Sequence, residues 1–326
     1  VVEEILRIYG YNNVEIPHSV KSSLTIKGDV DFSHAMENLI AEQLIGQGFQ
    51  EILNNSLTKE AYYETLSYYS KNKLVKVLNP LSNDLNVMRQ CLLFGGLESI
   101  SHNANRKNPN LKFFEFGNCY SMTSNGINPE KPLSSYHEES HLGLWITGNK
   151  VEGSWAHPNE ETSVYELKGY VFGILSRLGV QMGAFVLSNG NNDIFSKSLL
   201  VSDRSGKIFM ELGIIRKSTL IEFGIENDVY YADFNWGALM KNIRKNKVTF
   251  TDICKFPYVR RDLALLVDKA VEFKDIENVA RSTEKKLLKK VELFDVYEGE
   301  HLEKGKKSYA VNFTLQDESK TMNDKT

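Results

Sequence analysis

The sequence predicts an α+β protein: an antiparallel sheet with flanking helices, followed by a smaller mixed module. Three observations lead there. Residues 93–104 place Leu93, Leu97, Ile100 and Ala104 on one helical face, and a polar turn at 105–110, containing Pro109, leads into a strand at 112–120. That strand carries Phe113, Phe114, Phe116 and Tyr120 and is too apolar for a surface. Further on, four strand-like segments follow one amphipathic helix, a grouping that argues for an antiparallel sheet. Last, the C-terminal stretch reads strand, helix, strand, strand.

The elements follow in order. Residues 1–9 read as helix, with Ile5, Leu6, Ile8 and Tyr9 apolar, Gly10 as its stop and Pro17 in an extended exit. A helix at 31–47 buries Phe32, Met36, Leu39, Ile40 and Leu44, capped by Asp31 or Ser33 and ended by Gly48. A strand is expected at 49–58, a helix in the aromatic-rich 59–69, and a short strand at 73–78, broken by Asn79-Pro80. After the central helix and aromatic strand, residues 121–140, with Gly126, Pro129, Pro132 and several serines, read as a hairpin tip or loop. A strand at 141–148 precedes the helix at 164–178, whose apolar face is Leu167, Val171, Ile174, Leu175 and Leu178. Strands are expected at 184–187, 198–201, 208–215 and 229–234, with Asp203-Arg204-Ser205-Gly206 as a tight hairpin turn. The last module is a strand at 261–268, a helix at 274–286, a strand at 291–297, a charged turn at 298–305 and a strand at 307–315.

Composition narrows the function classes. The 326 residues suffice for two domains, and 41% apolar with 25% charged residues is ordinary for a globular protein. No run approaches the roughly 18 apolar residues of a membrane span. The opening is acidic helix sequence rather than a leader, and the odd, scattered Cys91, Cys119 and Cys254 fit a reduced cytoplasm and offer no zinc spacing. A net charge of −3 argues against a wholly basic nucleic-acid binder, so RNA contact needs a local patch. Residues 236–261 supply one: Lys241, Arg244, Lys245, Lys247, Lys255, Arg260 and Arg261 face the single anion Asp252. A domain boundary is placed inside this stretch, near Cys254. Both ends read as cut: Val1 starts within a helix pattern, and residues 319–326 stop where another helix would be capped.

Three passages, in order, carry a family resemblance: VVEEILRIYGYNNVEIP at 1–17, MRQCLLFGGLESISHNANRKNPNLKFFEFGNCY at 88–120, and FPYVRRDLALLVD at 256–268. The chain resembles the C-terminal part of the beta subunit of bacterial phenylalanyl-tRNA synthetase. Asn79-Pro80-Leu81-Ser82 matches the same family. The resemblance implies that 1–17 end a B5-type DNA-binding-like domain, that 18–253 form a non-catalytic class II synthetase-like core, and that 254–326 form a truncated ferredoxin-fold anticodon-binding domain. It implies that the helix and strand from 31 to 58 build a subunit interface; the residues alone leave plain core packing open. It further implies an alpha-subunit partner in an alpha2beta2 cytoplasmic ligase that joins phenylalanine to tRNA(Phe) with ATP. Magnesium, shared with the alpha subunit, is implied at Glu3 and Glu4. Carboxylate oxygens suit that hard cation, but adjacent helix residues point apart, so other donors must complete the shell.

No catalytic residue is expected in this chain. Active class II enzymes hold ATP phosphates with an arginine in the second motif and another after the glycine-rich strand of the third. Here residues 111–117, LKFFEFG, offer phenylalanine and glutamate, and 222–228, EFGIEND, are acidic without arginine. Arginine matches phosphate with a bidentate fork, and a negative site repels it. His137-Glu138-Glu139-Ser140-His141 has zinc-protease spacing but falls between a loop and a strand, and reads as solvated loop histidines; His301 and the other histidines form no such pair. For tRNA, the expected contacts are Arg260, Arg261, Lys285, Lys286, Lys289 and Lys290, the lysines being placed at a helix end where they also complement its dipole. Two other functions fit the residues: a stand-alone class II ligase, and an RNA-binding or protein-interaction module on the same fold.

Overall fold

The computed structural model describes the chain apart from residues 20, 24–27, 124–126, 181, 182, 184, 245–249, 251, 300, 301 and 323–326, and apart from the Asp29 side chain. Gly126, Ala184, Lys245, Lys247, His301 and the final four residues therefore lie outside the described residues. Two compact units are formed, Val1–Lys247 and Val248–Thr326.

The first unit begins with α1 (Val2–Tyr9) and α2 (Asp29–Gly46), then the short strands β1 (Gln50–Glu51), β2 (Leu57–Thr58) and β3 (Val87–Met88). It continues with α3 (Leu93–Ala104), β4 (Leu111–Met122), β5 (Tyr136–Thr147), β6 (Asn149–Val151), β7 (Glu160–Glu161) and α4 (Val164–Arg177). β8 (Val186–Gly190), β9 (Phe195–Ser202), β10 (Ile208–Ile215), α5 (Lys217–Glu222), β11 (Val229–Asn235) and α6 (Trp236–Ile243) complete it. The main sheet has seven strands in the order β1-β4-β5-β11-β10-β9-β8. β1 joins β4 in parallel, and every other neighbour in that sheet is antiparallel.

Alternation along β4 and β5 sorts side chains to two faces. Phe114, Leu142, Leu144 and Ile146 face a core shared with Ile40 and Leu44 of α2, Leu167, Val171 and Ile174 of α4, and Trp236 and Leu239 of α6. Leu111, Phe113, Cys119, Trp145 and Tyr231 face the other core, under Leu93, Leu97 and Ile100 of α3. The helix at 93–104 thus packs as its spacing demands. Its two glycines have a separate reason. A Cβ on Gly96 would stand 2.2 Å from the fully buried Trp145 ring, and one on Gly95 would stand 2.8 Å from Asn54 Cβ. Glycine costs helix stability, but here it lets α3 lie directly on the sheet.

Several local expectations change. Asp31 is not the cap of α2: it sits in the first turn and accepts the Gly28 N–H at 2.9 Å. The expected strand at 49–58 is two short strands with an irregular join, and Ile52 still donates to Phe114 O at 2.9 Å. Residues 59–69 form a 3-10 turn at Glu60–Tyr63 rather than a helix. Of their tyrosines, Tyr63 is fully buried and accepts the Gln90 N–H at 3.1 Å, while the half-buried Tyr62 packs against Phe94 and Phe223. The strand at 73–78 reduces to one bridge, Lys76 to Val87. Loop 121–140 is shorter than expected, since the β4–β5 ladder runs out to Met122 opposite Tyr136. In the turn after β9, Asp203 Oδ1 accepts the N–H groups of Ser205 and Lys207, and Gly206 takes φ 88°.

The second unit contains β12 (Val259–Asp268), α7 (Phe273–Thr283), β13 (Leu288–Tyr297) and β14 (Lys306–Leu315), with sheet order β12-β14-β13. α7 supplies Phe273, Ile276 and Ala280 to a small core with Val291, Tyr309 and Val311. This is the strand-helix-strand-strand order expected, with the helix three residues shorter and β13 three residues longer at their junction. Among the described residues no helix is long and apolar enough to cross a membrane.

The Gly96 contact yields a test. Gly96→Ala should destabilise the protein by about 1–3 kcal/mol through overpacking against Trp145, whereas Gly169→Ala in α4, where nothing stands within 4 Å, should be neutral or stabilising. Urea unfolding of the two variants checks this.

Candidate functional site

The sheet face beneath α3 is not wholly covered. A cavity of about 300 Å³ opens over the adjoining ends of β5, β11 and β10, walled by Tyr68 and Tyr69. Strand parity selects what reaches it: His141 on β5, Tyr231 and Asp233 on β11, and Glu211 on β10. His141 lies directly opposite Asn235, and its Nδ1 meets Asp233 Oδ1 at 3.0 Å, with side-chain exposures of 13% and 17%. Burial works against a charge on His141, but the charge and hydrogen bond of Asp233, joined by Glu139, raise its pKa to about 10. His141 is therefore an imidazolium at neutral pH, donating to Asp233.

Glu211 is 5% exposed. It accepts from Asn192 Nδ2 at 2.8 Å and from Ser198 Oγ at 2.6 Å. Burial raises its pKa above the usual carboxylate range; the Ser198 and Asn192 bonds oppose that, and the charge of Asp233 adds to it. Tyr68 is pushed up to about 12 by burial and by the charges of Glu211 and Asp233. Lys73 is a further cation on the lining, and no arginine lines the cavity among the described residues. Three carboxylates, Glu139, Glu211 and Asp233, share the site. A polyphosphate would meet Glu211 and Asp233 where little solvent screens them, so like-charge repulsion there is strong, with the exposed Glu139 adding to it.

The motif segments resolve around this face. Glu115 of the second-motif segment lies on the same side of β4 but is fully buried and holds Arg89 Nη1 at 2.6 Å. An arginine is thus present near the expected place, but it is spent on an internal ion pair and its Nε also donates to Asn118 O at 3.0 Å. The proposed third-motif segment, 222–228, is the end of α5 and a turn through Gly224 at φ 64°, not a strand. β11 runs directly into α6, where Asn235 Oδ1 accepts the Ala238 N–H at 2.8 Å and Lys241 is the first cation of the helix.

His137, Glu139 and His141 share one face of β5 rather than lying in a loop. Histidines four residues apart on a strand are about 13 Å apart, too far for one metal. The reading of His141 as solvated fails because Asp233 draws it inward. That pairing was hidden in the sequence, as the two residues are 92 positions apart.

Glu3 and Glu4 stand in the first turn of α1 and are exposed, and Glu4 meets Arg7 at 3.5 Å. No group of three metal-ligating side chains gathers among the described residues. The two carboxylates have the right chemistry for magnesium but not the number of donors.

In the second unit the six basic candidates divide. Arg260 and Lys290 both pair across from Thr314, so they share one face of the sheet. Arg260 stacks on Tyr258 at 5.4 Å. Arg261 pairs across from Phe313, on the face that α7 covers. Lys285 and Lys286 lie in the turn after α7, and Lys289 and Lys290 lie on β13, so none of the four belongs to a helix end. Lys289 meets Glu318 and Lys290 meets Glu292, each at 2.6 Å.

The His141–Asp233 pair predicts a pH dependence. The folded pKa of about 10 exceeds the ordinary 6.5, so the pair's contribution is complete below about pH 6.5 and is lost as pH rises towards 10. The urea midpoint should fall over that window, and His141→Gln should flatten the fall. An identical pH profile in both proteins would show that the imidazolium contributes nothing.

Known proteins match both units. The model of the phenylalanyl tRNA synthetase beta chain CLM domain matches residues 16–236, and that of the ferredoxin-fold anticodon binding domain matches residues 254–326. The phenylalanine–tRNA ligase beta subunit of Bacteroides thetaiotaomicron is 62% identical over 325 residues, covering 100% of this chain and 40% of the relative. That of Bacteroides fragilis is 61% identical and that of Porphyromonas gingivalis 49%, with the same coverage. The chain therefore spans about 40% of the length of these relatives. With the first model matching well over half of its residues, the chain belongs to the phenylalanyl-tRNA synthetase beta chain family.

Proposed function

We propose that this chain is the C-terminal portion of the non-catalytic beta subunit of a phenylalanine–tRNA ligase. It associates with an alpha subunit in a cytoplasmic alpha2beta2 enzyme that uses ATP to attach phenylalanine to tRNA(Phe). The alpha subunit holds the active site; this chain supplies framework and tRNA contact. The observation that carries the non-catalytic part is the carboxylate-lined sheet cavity, which no arginine lines among the described residues, while Arg89 is committed to the buried Glu115. A triphosphate has no cationic fork to meet there.

Residues 1–17 close a B5-type domain, 18–253 form the synthetase-like core, and 254–326 form the anticodon-binding domain. In the core, α2 and the strand after it serve the subunit interface, which accords with the exposed Val30 and Ile45 on that helix. Glu3 and Glu4 hold magnesium jointly with the alpha subunit, as two of the roughly six oxygens that the ion takes. If bound there, the ion would supply positive charge, and Glu3 and Glu4 would help hold and partly neutralise it.

The tRNA contact is made by the face bearing Arg260 and Lys290, with Lys285, Lys286 and Lys289 beside the β13 end and Arg261 on the opposite face. Their role is phosphate affinity rather than base reading. Arg260→Glu with Lys290→Glu, in full-length beta complexed with alpha, should weaken tRNA binding about tenfold and reduce the salt slope by about 2. Arg261→Glu should do less, because it points the other way. An unchanged salt slope in the double variant rejects the assignment. The chain without its partner should give no ATP–pyrophosphate exchange with any amino acid, and robust exchange would overturn the non-catalytic reading.

A further inference from the structure

We propose that the cavity over β5, β10 and β11 binds a small organic monocation: an amine or ammonium with a compact apolar or aromatic body. The site is built from this chain's own residues, and its test rests on the ligase reading only for the alpha partner. It begins with Glu211, a nearly fully buried carboxylate whose side-chain partners are the neutral Asn192, Ser198 and Tyr68. Among the described residues no cation pairs with it. A buried carboxylate is costly without a cation, and this one borders an open cavity instead of being sealed in the core.

The charge balance of the lining points the same way. Asp233 and Glu139 are both matched to the single imidazolium of His141. Counting Glu211 and Lys73, the carboxylates exceed the cations by one. A monocation restores neutrality; an anion or a dication does not.

The walls supply the second requirement independently of charge. Tyr68 and Tyr69 meet edge to face at 4.9 Å, and Phe195 stacks with Tyr231 at 6.1 Å. Aromatic faces attract ammonium groups and accept a flat apolar body. The carboxylate is also held in place: a Cβ on Gly190 would come within 2.6 Å of Glu211 Oε1, so the bare glycine leaves room for the Ser198–Glu211 bond.

The test uses full-length protein with its alpha partner, saturated with phenylalanine and ATP so that the partner's own site is filled. Phenethylamine, phenethyl alcohol and 3-phenylpropionate are titrated by calorimetry. The amine should bind about tenfold or more tightly than the alcohol, the worth of one charge-assisted hydrogen bond, and the acid should not bind. Glu211→Gln, which keeps the shape and the Ser198 contact, should remove the advantage of the amine over the alcohol. Equal affinities for amine and alcohol in the unmodified protein, or an undiminished preference in Glu211→Gln, overturn the proposal. Should the variant fail to fold, crystals of the unmodified complex soaked in phenethylamine decide: an ammonium within hydrogen-bond distance of Glu211 supports the site, and density elsewhere or nowhere refutes it.

Discussion

Arg89 and Glu115 meet at 2.6 Å with almost no solvent on either side chain, and three segments of the first unit are tied through that pair. Glu115 also receives the Asn54 side-chain amide at 2.8 Å, which anchors the irregular run after β1. Arg89 also donates to the carbonyls of Asn54 and Asn118. Backbone continues the tie, since Tyr120 N–H donates to Arg89 O at 2.8 Å. Taking two ions out of water is expensive, and such a pair is tolerated only when the remaining donors and acceptors are satisfied. Here the carbonyls and the amide do that. Gly117 is a further consequence: a Cβ there would fall 2.2 Å from Arg89 Nη2.

The same pair explains the chemistry of the exposed part of the sheet. An arginine free to swing onto that face could grip phosphate. Held at Glu115 and two carbonyls, Arg89 cannot leave without stranding a buried carboxylate. The cavity beyond it is left to Asp233, Glu139 and Glu211, with His141 and Lys73 as partial balance. The negative character of the site therefore reflects how the interior is wired as well as which residues line it.

Much of this was legible in the sequence because it depends on period. Leu93, Leu97 and Ile100 recur at helical spacing and all three are buried. The strand at 208–215 was bounded correctly because its apolar run is closed by a glycine turn and by Arg216. Period fails where residues are buried one at a time. The density of Tyr62, Tyr63, Tyr68 and Tyr69 suggests a helix, but Tyr62 and Tyr63 come from a 3-10 turn and meet on Phe94, and Tyr69 packs against Tyr68. It also fails for pairs made across long separations, such as His141 with Asp233 or Arg89 with Glu115. A charged residue inside an apolar stretch has no local sign of where its partner lies. The opposite faces of Arg260 and Arg261, by contrast, follow from strand alternation alone.

Electrostatics separates the two units more sharply than composition suggests. The chain is weakly acidic as a whole, yet the cavity over β5, β11 and β10 is lined by three carboxylates, Glu211 buried, Asp233 largely so and Glu139 exposed, while Arg260 and Lys290 share an exposed row in the second unit. Buried charge acts strongly on a ligand because little water screens it, and exposed charge acts weakly, additively and in a salt-dependent way. A sheet face of the first kind can discriminate among small molecules by sign. A strand of the second kind suits a long polyanion, which many weak contacts hold without any of them being indispensable.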